Sequence, residues 1–373
     1  MTLLTTHTGS LPRPADLVDL IVRRDEGLPA AGLTPRVEEA VAEVVRRQAE
    51  LGLDLLNDGE QGKVGYSTYV KDRLTGFEGE PTTLSALAEL ADFPDDAARM
   101  GRTLTEIHLN APACTGPITR RDDGAVERDV EDLLAAARSA GVARERLFMT
   151  AASPGVVTLF FADRHYGDRE QYLGALAEAM RPEYEAIAAA GVTLQLDCPD
   201  LAAGRHTVFA GLGLDEFRRE IARNVAALNE ATRAIPPERM RLHLCWGNYE
   251  GPHTHDVPLA DILDVVLEAR PLGLSIEASN PRHGHEWELF AERPLPEGKY
   301  LIPGVVDSTT NFVEHPRLVA QRLERFASVV GAERVVAGTD CGFGTFVGLD
   351  QVTPSVAWAK LAALVEGAAL VRA

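Results

Sequence analysis

The chain has 373 residues, of which 45% are hydrophobic and 25% are charged, the composition of an ordinary globular protein. It has 37 basic and 56 acidic residues and a formal net charge of −19, and a field of that sign disfavours nucleic acid and anionic membrane surfaces as partners. No apolar run is long enough for a membrane span, and the first residues lack a secretory signal pattern. We expect a cytoplasmic protein that acts on small molecules, with a homo-oligomer as an open alternative. The four cysteines are too few for a disulfide framework and are expected to be free thiols or metal ligands.

Short apolar runs recur along the chain, each followed by a polar or glycine-rich turn and then by an amphipathic helical pattern. Such runs are typical of parallel strands that are buried on both faces. Eight runs are predicted to be strands: Leu3–His7, Leu53–Asp58, Leu147–Ala151, Thr193–Asp197, Arg241–Trp246, Leu274–Ala278, Tyr300–Val306 and Val335–Thr339. Eight strand–helix units predict an α/β fold with a single (β/α)8 TIM barrel over residues 1–373, and an open, doubly wound sheet is the alternative.

Helical patterns lie between and after these runs. The predicted helices are Pro35–Leu51, Asp168–Ala190, Asp215–Ala234, Leu259–Ala269, Pro316–Val330 and Pro354–Val371. Residues 75–140 break the alternation and are predicted to be an insertion after the second βα unit. Within it we expect a helical piece near Leu84–Leu90, a solvated loop at Asp92–Asp96 and a hairpin over Thr103–Arg120.

Candidate metal ligands lie at three predicted strand ends. His243 and Cys245 are two residues apart and so share one face of a strand, Glu277 ends the next strand, and Cys341 follows the last one. The carboxyl ends of barrel strands carry the active site, so these side chains are expected to meet. Two sulfurs, one imidazole nitrogen and one carboxylate oxygen are a ligand set that suits zinc.

Other polar residues end predicted strands on the same rim. Ser10, Glu60, Asp197 and Asp307 follow strands one, two, four and seven, and their acidic members predict a pocket for a cationic group. Asp197 and Asp307 are candidate catalytic carboxylates. The loops after strands five and six carry two histidine pairs, which are expected to line the mouth of the barrel as substrate contacts or, less favoured, as ligands of a second metal: His253 and His255, and His283 and His285.

These motifs occur together and in order along the chain. They are Thr6–Pro12, Asp58–Glu60, Gln195–Asp197, His243–Cys245, Ile276–Glu277, Pro303–Asp307 and Asp340–Gly342. The combination resembles the cobalamin-independent methionine synthase superfamily, in the type that has the catalytic barrel alone. The resemblance implies Zn²⁺ bound by His243, Cys245, Glu277 and Cys341. It also implies that Ser10, Glu60 and Asp197 hold the amino-acid part of homocysteine.

The chain departs from that family after its seventh strand. Methionine synthases have a histidine there that helps to protonate the leaving pterin, whereas Asp307 is followed by Ser308, Thr309 and Thr310. We therefore expect a zinc-dependent methyltransferase or alkyltransferase that acts on a homocysteine-like thiol in methionine biosynthesis, with an alkyl donor that the sequence does not identify. The alternative is the alkylation of a non-amino thiol, as in epoxide transfer to coenzyme M. A metal-dependent hydrolase or lyase is less favoured, because hydrolytic zinc sites favour histidine and carboxylate ligands.

Overall fold

The structure is a computed structural model that describes residues 3–81, 87–104, 108–121, 124–349 and 351–371. These residues form nine strands: β1 Leu4–Thr5, β2 Phe77–Pro81, β3 Pro112–Cys114, β4 Phe148–Ala152, β5 Thr193–Asp197, β6 Met240–Leu244, β7 Gly273–Glu277, β8 Tyr300–Val306 and β9 Val336–Thr339. All five residues of β4, β6 and β7 are buried, as expected of strands that are covered on both faces.

The same residues form twelve α-helices: α1 Ala15–Asp25, α2 Leu33–Leu51, α3 Val70–Arg73, α4 Pro94–Leu104, α5 Ala125–Ser139, α6 Pro154–Phe160, α7 Arg169–Ala189, α8 Leu214–Ala231, α9 Leu259–Leu267, α10 Leu289–Glu292, α11 Pro316–Val330 and α12 Pro354–Leu370. Short 3₁₀ turns lie at Ala88–Ala91, Arg144–Arg146, Pro199–Leu201, Ala203–His206, Pro237–Arg239, Glu286–Glu288 and Ala332–Arg334. In the part of the chain that is described, no helix combines the length and apolarity that crossing a bilayer would require.

Seven strands form one curled parallel sheet in the order β1-β9-β8-β7-β6-β5-β4. From β4 to β9 each strand pairs in parallel with the next one along the chain, and the register sets Asp197 of β5 opposite His243 of β6. A doubly wound sheet would reverse its strand order at a switch point, and this order does not reverse between β4 and β9. Consecutive parallel strands bring their carboxyl ends to one edge, where the predicted site residues lie.

The predicted second strand, Leu53–Asp58, is reduced to a single parallel bridge between Leu56 and Leu147. The segment also contacts the other edge of the sheet, because the N–H of Leu55 donates to the carbonyl of Thr5 at 3.0 Å. This short stretch therefore lies against both β1 and β4, the two edge strands. It carries Asp58 and Glu60 to the same rim as the other strand ends.

The region predicted to be an insertion contains an antiparallel pair, in which β2 packs against β3. Thr103, at the start of the predicted hairpin, lies in α4, and residues 105–107 of that hairpin lie outside the described residues. Residues 84–86 of the predicted helix near Leu84–Leu90 also lie outside them, and its end forms part of the 3₁₀ turn Ala88–Ala91. The prediction of a solvated loop at Asp92–Asp96 is wrong from Pro94 onward. Helix α4 begins there, since proline suits the first turn of a helix and acidic residues follow it.

Candidate functional site

A cavity of about 1100 Å³ opens at the carboxyl ends of the strands. Its inner end is lined by side chains from the ends of β1, β5, β6 and β9 and from the segment after Leu56: Thr8, Ser10, Glu60, Asp197, His243, Cys245 and Cys341. The rest of the lining combines apolar side chains, among them Leu87, Leu90, Leu159, Phe160, Phe346 and Leu349, with polar ones, among them Arg99, Asn248, Glu250 and Gln351. The cavity therefore combines apolar surface with a group of buried polar side chains, the usual design of a small-molecule site.

Three predicted metal ligands meet at the inner end of this cavity. The ligand atoms of His243, Cys245 and Cys341 all lie within 4.8 Å of one another, and all three residues are buried. Nδ1 of His243 lies 3.3 Å from the hydroxyl of Ser275, while its Nε2 has no hydrogen-bond partner in the described chain. Burial, with a smaller effect from Arg241, lowers the pKa of His243 to about 3, so the imidazole is neutral, the form that binds a metal.

The thiol of Cys245 is buried beside a second thiol and a carboxylate. Contact with Cys341 and burial raise the pKa of Cys245 well above its usual value, and the nearby charge of Glu277 adds to the effect. A cation between them would reverse this by favouring the thiolates. A buried imidazole nitrogen without a partner beside two thiols is a donor set that fits zinc.

Glu277, the fourth predicted ligand, ends β7 beside this cluster but is not part of the group of three. One carboxylate oxygen accepts from the backbone N–H of Trp246 at 2.7 Å, and the other accepts from the amide of Asn280 at 3.2 Å. Burial raises the pKa of Glu277. The structure thus brings three of the four predicted ligands together and holds the fourth by hydrogen bonds of its own.

Glu60 lies in the cavity with one carboxylate oxygen available. Its Oε1 accepts from the hydroxyl of Thr150 at 2.9 Å, whereas its buried Oε2 has no partner among the residues described. The backbone of Glu60 has φ 56°, a conformation that residues other than glycine rarely adopt. Its carbonyl accepts from Arg13 at 2.8 Å, which helps to hold the strained turn. Such strain commonly occurs at functional sites.

Asp197 shares the cavity with Glu60 and Ser10. One of its carboxylate oxygens accepts from the amide of Gln195 at 2.8 Å. Burial, and then the negative charge of Glu60, raise the pKa of Asp197 to about 8. Two buried carboxyl groups in one cavity repel each other when both are ionised, so this end of the cavity favours a positively charged ligand.

The predicted substrate contacts His283 and His285 are not brought into the cavity lining. His283 is buried, stacks on Trp246 with ring centroids 3.8 Å apart, and lies 2.9 Å from both Asp256 and Glu286. Burial opposes its protonation, but these carboxylates outweigh burial and raise the pKa of His283 to about 10. His285 is exposed to solvent. The partners of His283 turn it into the protein, which the loop sequence did not reveal.

The predicted catalytic Asp307 also lies outside the cavity lining, although its neighbours Thr309 and Thr310 are part of it. Its carboxylate accepts the backbone N–H groups of Thr309 at 3.0 Å and Thr310 at 2.8 Å, and Lys360 lies 4.0 Å away. Burial would raise the pKa of Asp307, but the hydrogen bonds from the two threonines lower it. In this geometry Asp307 shapes the loop that lines the cavity.

The second histidine pair of the predicted mouth is bonded within the protein. His253 is buried, with Nδ1 2.8 Å from Asp256 and Nε2 3.0 Å from the carbonyl of Tyr249. His255 pairs with Asp92 at 2.8 Å on the surface. Neither residue lines the cavity.

Some residues of the cavity were not singled out from the sequence. Tyr66, Phe160 and Phe346 form an aromatic cluster with ring centroids 5.3–5.9 Å apart. His206 lines the cavity from a 3₁₀ turn after β5. The sequence signal for His206 was its place in the loop after a strand that ends in Asp197. A turn has no periodic pattern from which the direction of its side chains could be predicted.

Comparison with known proteins adds a family and a fold. A family model described as "Cobalamin-independent synthase, Catalytic domain" matches residues 153–366. A methionine synthase from Thermococcus kodakarensis is 23% identical over 372 residues, covering 99% of this chain and 93% of the relative. A 2-hydroxypropyl-CoM lyase from Xanthobacter autotrophicus is 25% identical over 409 residues, covering 100% and 96%. The solved B12-independent methionine synthase of Shewanella sp. W3-18-1, in complex with selenomethionine, has a similar fold, with a TM-score of 0.73, 21% identity and coverage of 99% and 97%.

Proposed function

The chain belongs to the cobalamin-independent synthase catalytic-domain family, and on this premise we propose that it transfers a methyl or other alkyl group to a thiol. Homocysteine or a related amino thiol is the first-choice acceptor. One observation carries the proposal: the cluster of His243, Cys245 and Cys341 opens into the same cavity as the carboxyl groups of Glu60 and Asp197. A thiol that carries an ammonium group fits both features at once.

We propose zinc as the metal, held by His243, Cys245 and Cys341 with Glu277 as the fourth ligand. The unpartnered Nε2 of His243 and the adjacent buried thiols support the first three. The charge of Glu277 acts on Cys245, which supports a place beside them. Zinc, when bound there, would keep a substrate sulfur in its nucleophilic thiolate form near neutral pH.

The protein's own residues then hold the acceptor. Glu60 offers a buried, unpartnered carboxylate oxygen, and Asp197 lies close enough for its pKa to respond to Glu60. An ammonium group between them would favour ionised Asp197 and form charge-assisted hydrogen bonds. The hydroxyl of Ser10 lies in the same lining, where its oxygen accepts from the N–H of Gly344 at 3.3 Å.

The second candidate keeps the chemistry and changes the substrates to a non-amino thiol and an epoxide. Similarity over the whole chain to a 2-hydroxypropyl-CoM lyase favours it, as do the apolar side chains in the cavity lining. A metal-dependent hydrolase is less favoured, because two sulfurs in the donor set suit thiolate chemistry better than the activation of water.

We further propose that the chain forms one catalytic domain with a closed (β/α)8 barrel. The segment around Leu56 would act as the eighth strand, since it bonds to both edges of the parallel sheet. The antiparallel pair of β2 and β3 would then belong to an insertion between the second and third units of that barrel.

The proposal is tested by incubating the zinc-loaded protein with homocysteine or coenzyme M and a panel of alkyl donors, including iodomethane, 5-methyltetrahydrofolate and epoxypropane. Thioether products are measured by mass spectrometry. We expect thioether formation that depends on the protein and is lost in Cys341→Ser, while Cys114→Ser, a change at a buried thiol outside the cavity lining, behaves as wild type. Product formation no faster than in protein-free controls for every pair would refute the function.

A further inference from the structure

His206 is a buried imidazole that the proposed acceptor and metal sites do not use. It is 1% exposed, lines the cavity, and lies in the 3₁₀ turn Ala203–His206 that follows β5. Its Nε2 has no hydrogen-bond partner in the chain as described. That nitrogen lies 3.9 Å from the position that a β-carbon on Gly247 would occupy, two residues beyond Cys245. The free ring nitrogen is thus at the cavity, close to the strand end that carries the metal cluster.

The other ring nitrogen faces a carboxylate. Nδ1 of His206 lies 3.0 Å from Oδ1 of Asp256, and both side chains are almost completely buried. The other oxygen of Asp256 is hydrogen-bonded to His253 at 2.8 Å and to His283 at 2.9 Å. Burial opposes its ionisation, but the three histidines outweigh burial and lower the pKa of Asp256, which keeps it negatively charged. The Nδ1–Oδ1 pair is close but is not aligned as a hydrogen bond, and an ionised carboxylate at this distance favours a proton on Nδ1, which leaves Nε2 as the second ring nitrogen at the cavity.

The three histidines around Asp256 differ in one respect. Nε2 of His253 is 3.0 Å from the carbonyl of Tyr249, and Nδ1 of His283 is 2.9 Å from Glu286, so both rings are bonded at each nitrogen. Neither of these two rings lines the cavity, whereas His206 does. Among the three, His206 alone combines an oriented ring with a free nitrogen at the site.

We propose that His206, positioned by Asp256, is the catalytic acid that protonates the leaving group of the alkyl donor. This inference rests on the proposed function. The sequence after Asp307 lacks the histidine that protonates the leaving group in methionine synthases, and His206 supplies a residue for that proton transfer. The sulfur of the thiol forms a bond to the alkyl carbon, and the bond from that carbon to the leaving atom breaks with its electron pair on that atom. The leaving atom takes the proton from Nε2 of His206, which acts as an imidazolium with a proton on both ring nitrogens. The proton released by the incoming thiol restores Nε2, so that thiol and donor give thioether and protonated leaving group.

The surroundings of His206 are consistent with a proton carrier. Asp256 faces it from the loop after β6, and Tyr249 of the same loop lies with its ring centroid 6.2 Å away. The hydroxyl of Tyr249 donates its hydrogen bond to Glu89 at 2.6 Å, so its proton is not given to the imidazole. His253 and His283 are both hydrogen-bonded to Asp256, which also faces His206.

The test compares donors that differ in their need for a proton. Epoxypropane and 5-methyltetrahydrofolate leave a basic oxygen or nitrogen, whereas iodomethane leaves iodide, which needs no proton. With homocysteine as the thiol, His206→Gln should lower kcat/KM for the donor with the basic leaving atom roughly 10²- to 10⁴-fold. The rate with iodomethane should not change. Asp256→Asn should shift the ratio of the two rates in the same direction, because the ring loses its orientation.

His253→Asn is the matched control, since His253 shares Asp256 but does not line the cavity, and asparagine tolerates its φ of 54°. It should keep the wild-type ratio of rates. Zinc content and thermal unfolding identify a folding defect in His206→Gln, in which case His206→Asn takes its place.

Each remaining outcome has one meaning. Equal losses with all donors, or no loss with any, would overturn the assignment of His206 as the acid. A wild-type protein that uses iodomethane but neither donor with a basic leaving atom would overturn it too. If wild type does not alkylate homocysteine even with iodomethane, the same comparison is made with coenzyme M, and no product with either thiol would instead refute the proposed function.

Discussion

The buried carboxylate of Glu60 should determine the affinity for an amino thiol. Its Oε1 is bonded to Thr150, and its Oε2 is buried without a partner among the described residues, so it offers one strong acceptor to an ammonium group. A hydrogen bond to a charged group contributes about 1.5–3 kcal/mol. At about 1.4 kcal/mol per tenfold change, Glu60→Gln should weaken the binding of homocysteine roughly 10- to 150-fold. The glutamine oxygen can still accept from Thr150, so the turn should persist and zinc should remain.

Isothermal titration calorimetry of the zinc-loaded protein measures this effect. Homocysteine and 4-mercaptobutanoic acid, the same thiol without its amine, are titrated into wild type and into Glu60→Gln. The variant should lose affinity for homocysteine and keep its affinity for the amine-free thiol. Glu50→Gln controls for the change in net charge, because Glu50 is exposed and pairs with Arg46 on the surface. If the amine-free thiol binds wild type as tightly as homocysteine, the amino-acid pocket is refuted and a non-amino thiol becomes the better acceptor.

Three further predictions concern the metal, the pH dependence and the loop after β8. Cys245→Ser and Cys341→Ser should each lose most of the bound zinc in elemental analysis, while Cys198→Ser keeps it; full zinc in both variants would show that the site is elsewhere. The raised pKa of Asp197, about 8 against an ordinary 3.8, means that its ionisation destabilises the ligand-free protein as pH rises through this range. The free energy of unfolding in urea should therefore rise for Asp197→Asn relative to wild type between pH 5 and pH 8. A difference between the two proteins that does not change with pH would contradict the raised pKa. Asp307→Ala should raise KM for the alkyl donor and leave zinc in place, because Asp307 holds the cavity loop by hydrogen bonds; loss of zinc in this variant would refute that role.

The parallel sheet could be predicted from the sequence because its strands are buried on both faces. Tyr300–Val306 has the predicted bounds, since a continuous apolar run is typical of such strands. Thr193–Asp197 also has them, although Gln195 interrupts its apolar residues. Leu53–Asp58 was predicted in the same way but forms only one bridge. The helix that begins at Pro94 was missed because its sequence is polar and acidic, which is also typical of a loop.

The approach of His243, Cys245 and Cys341 could be predicted because strand ends in a parallel sheet share one edge. His243 and Cys245 follow from their spacing, and Cys341 from its place after the last strand. The roles of loop residues depend on tertiary contacts that have no periodic signal. His283 was expected at the cavity, but Asp256 and Glu286 hold it inside the protein, while His206 shares Asp256 and does face the cavity.

The central claim, that a thiol substrate binds at a metal held by His243, Cys245 and Cys341, is tested most directly by the absorption spectrum of the cobalt-substituted protein. We expect a sulfur-to-cobalt charge-transfer band in the protein alone, because two of the ligands are thiolates. Addition of homocysteine should increase this band, as a third sulfur enters the coordination of the metal. A spectrum that does not change at saturating homocysteine would contradict the claim.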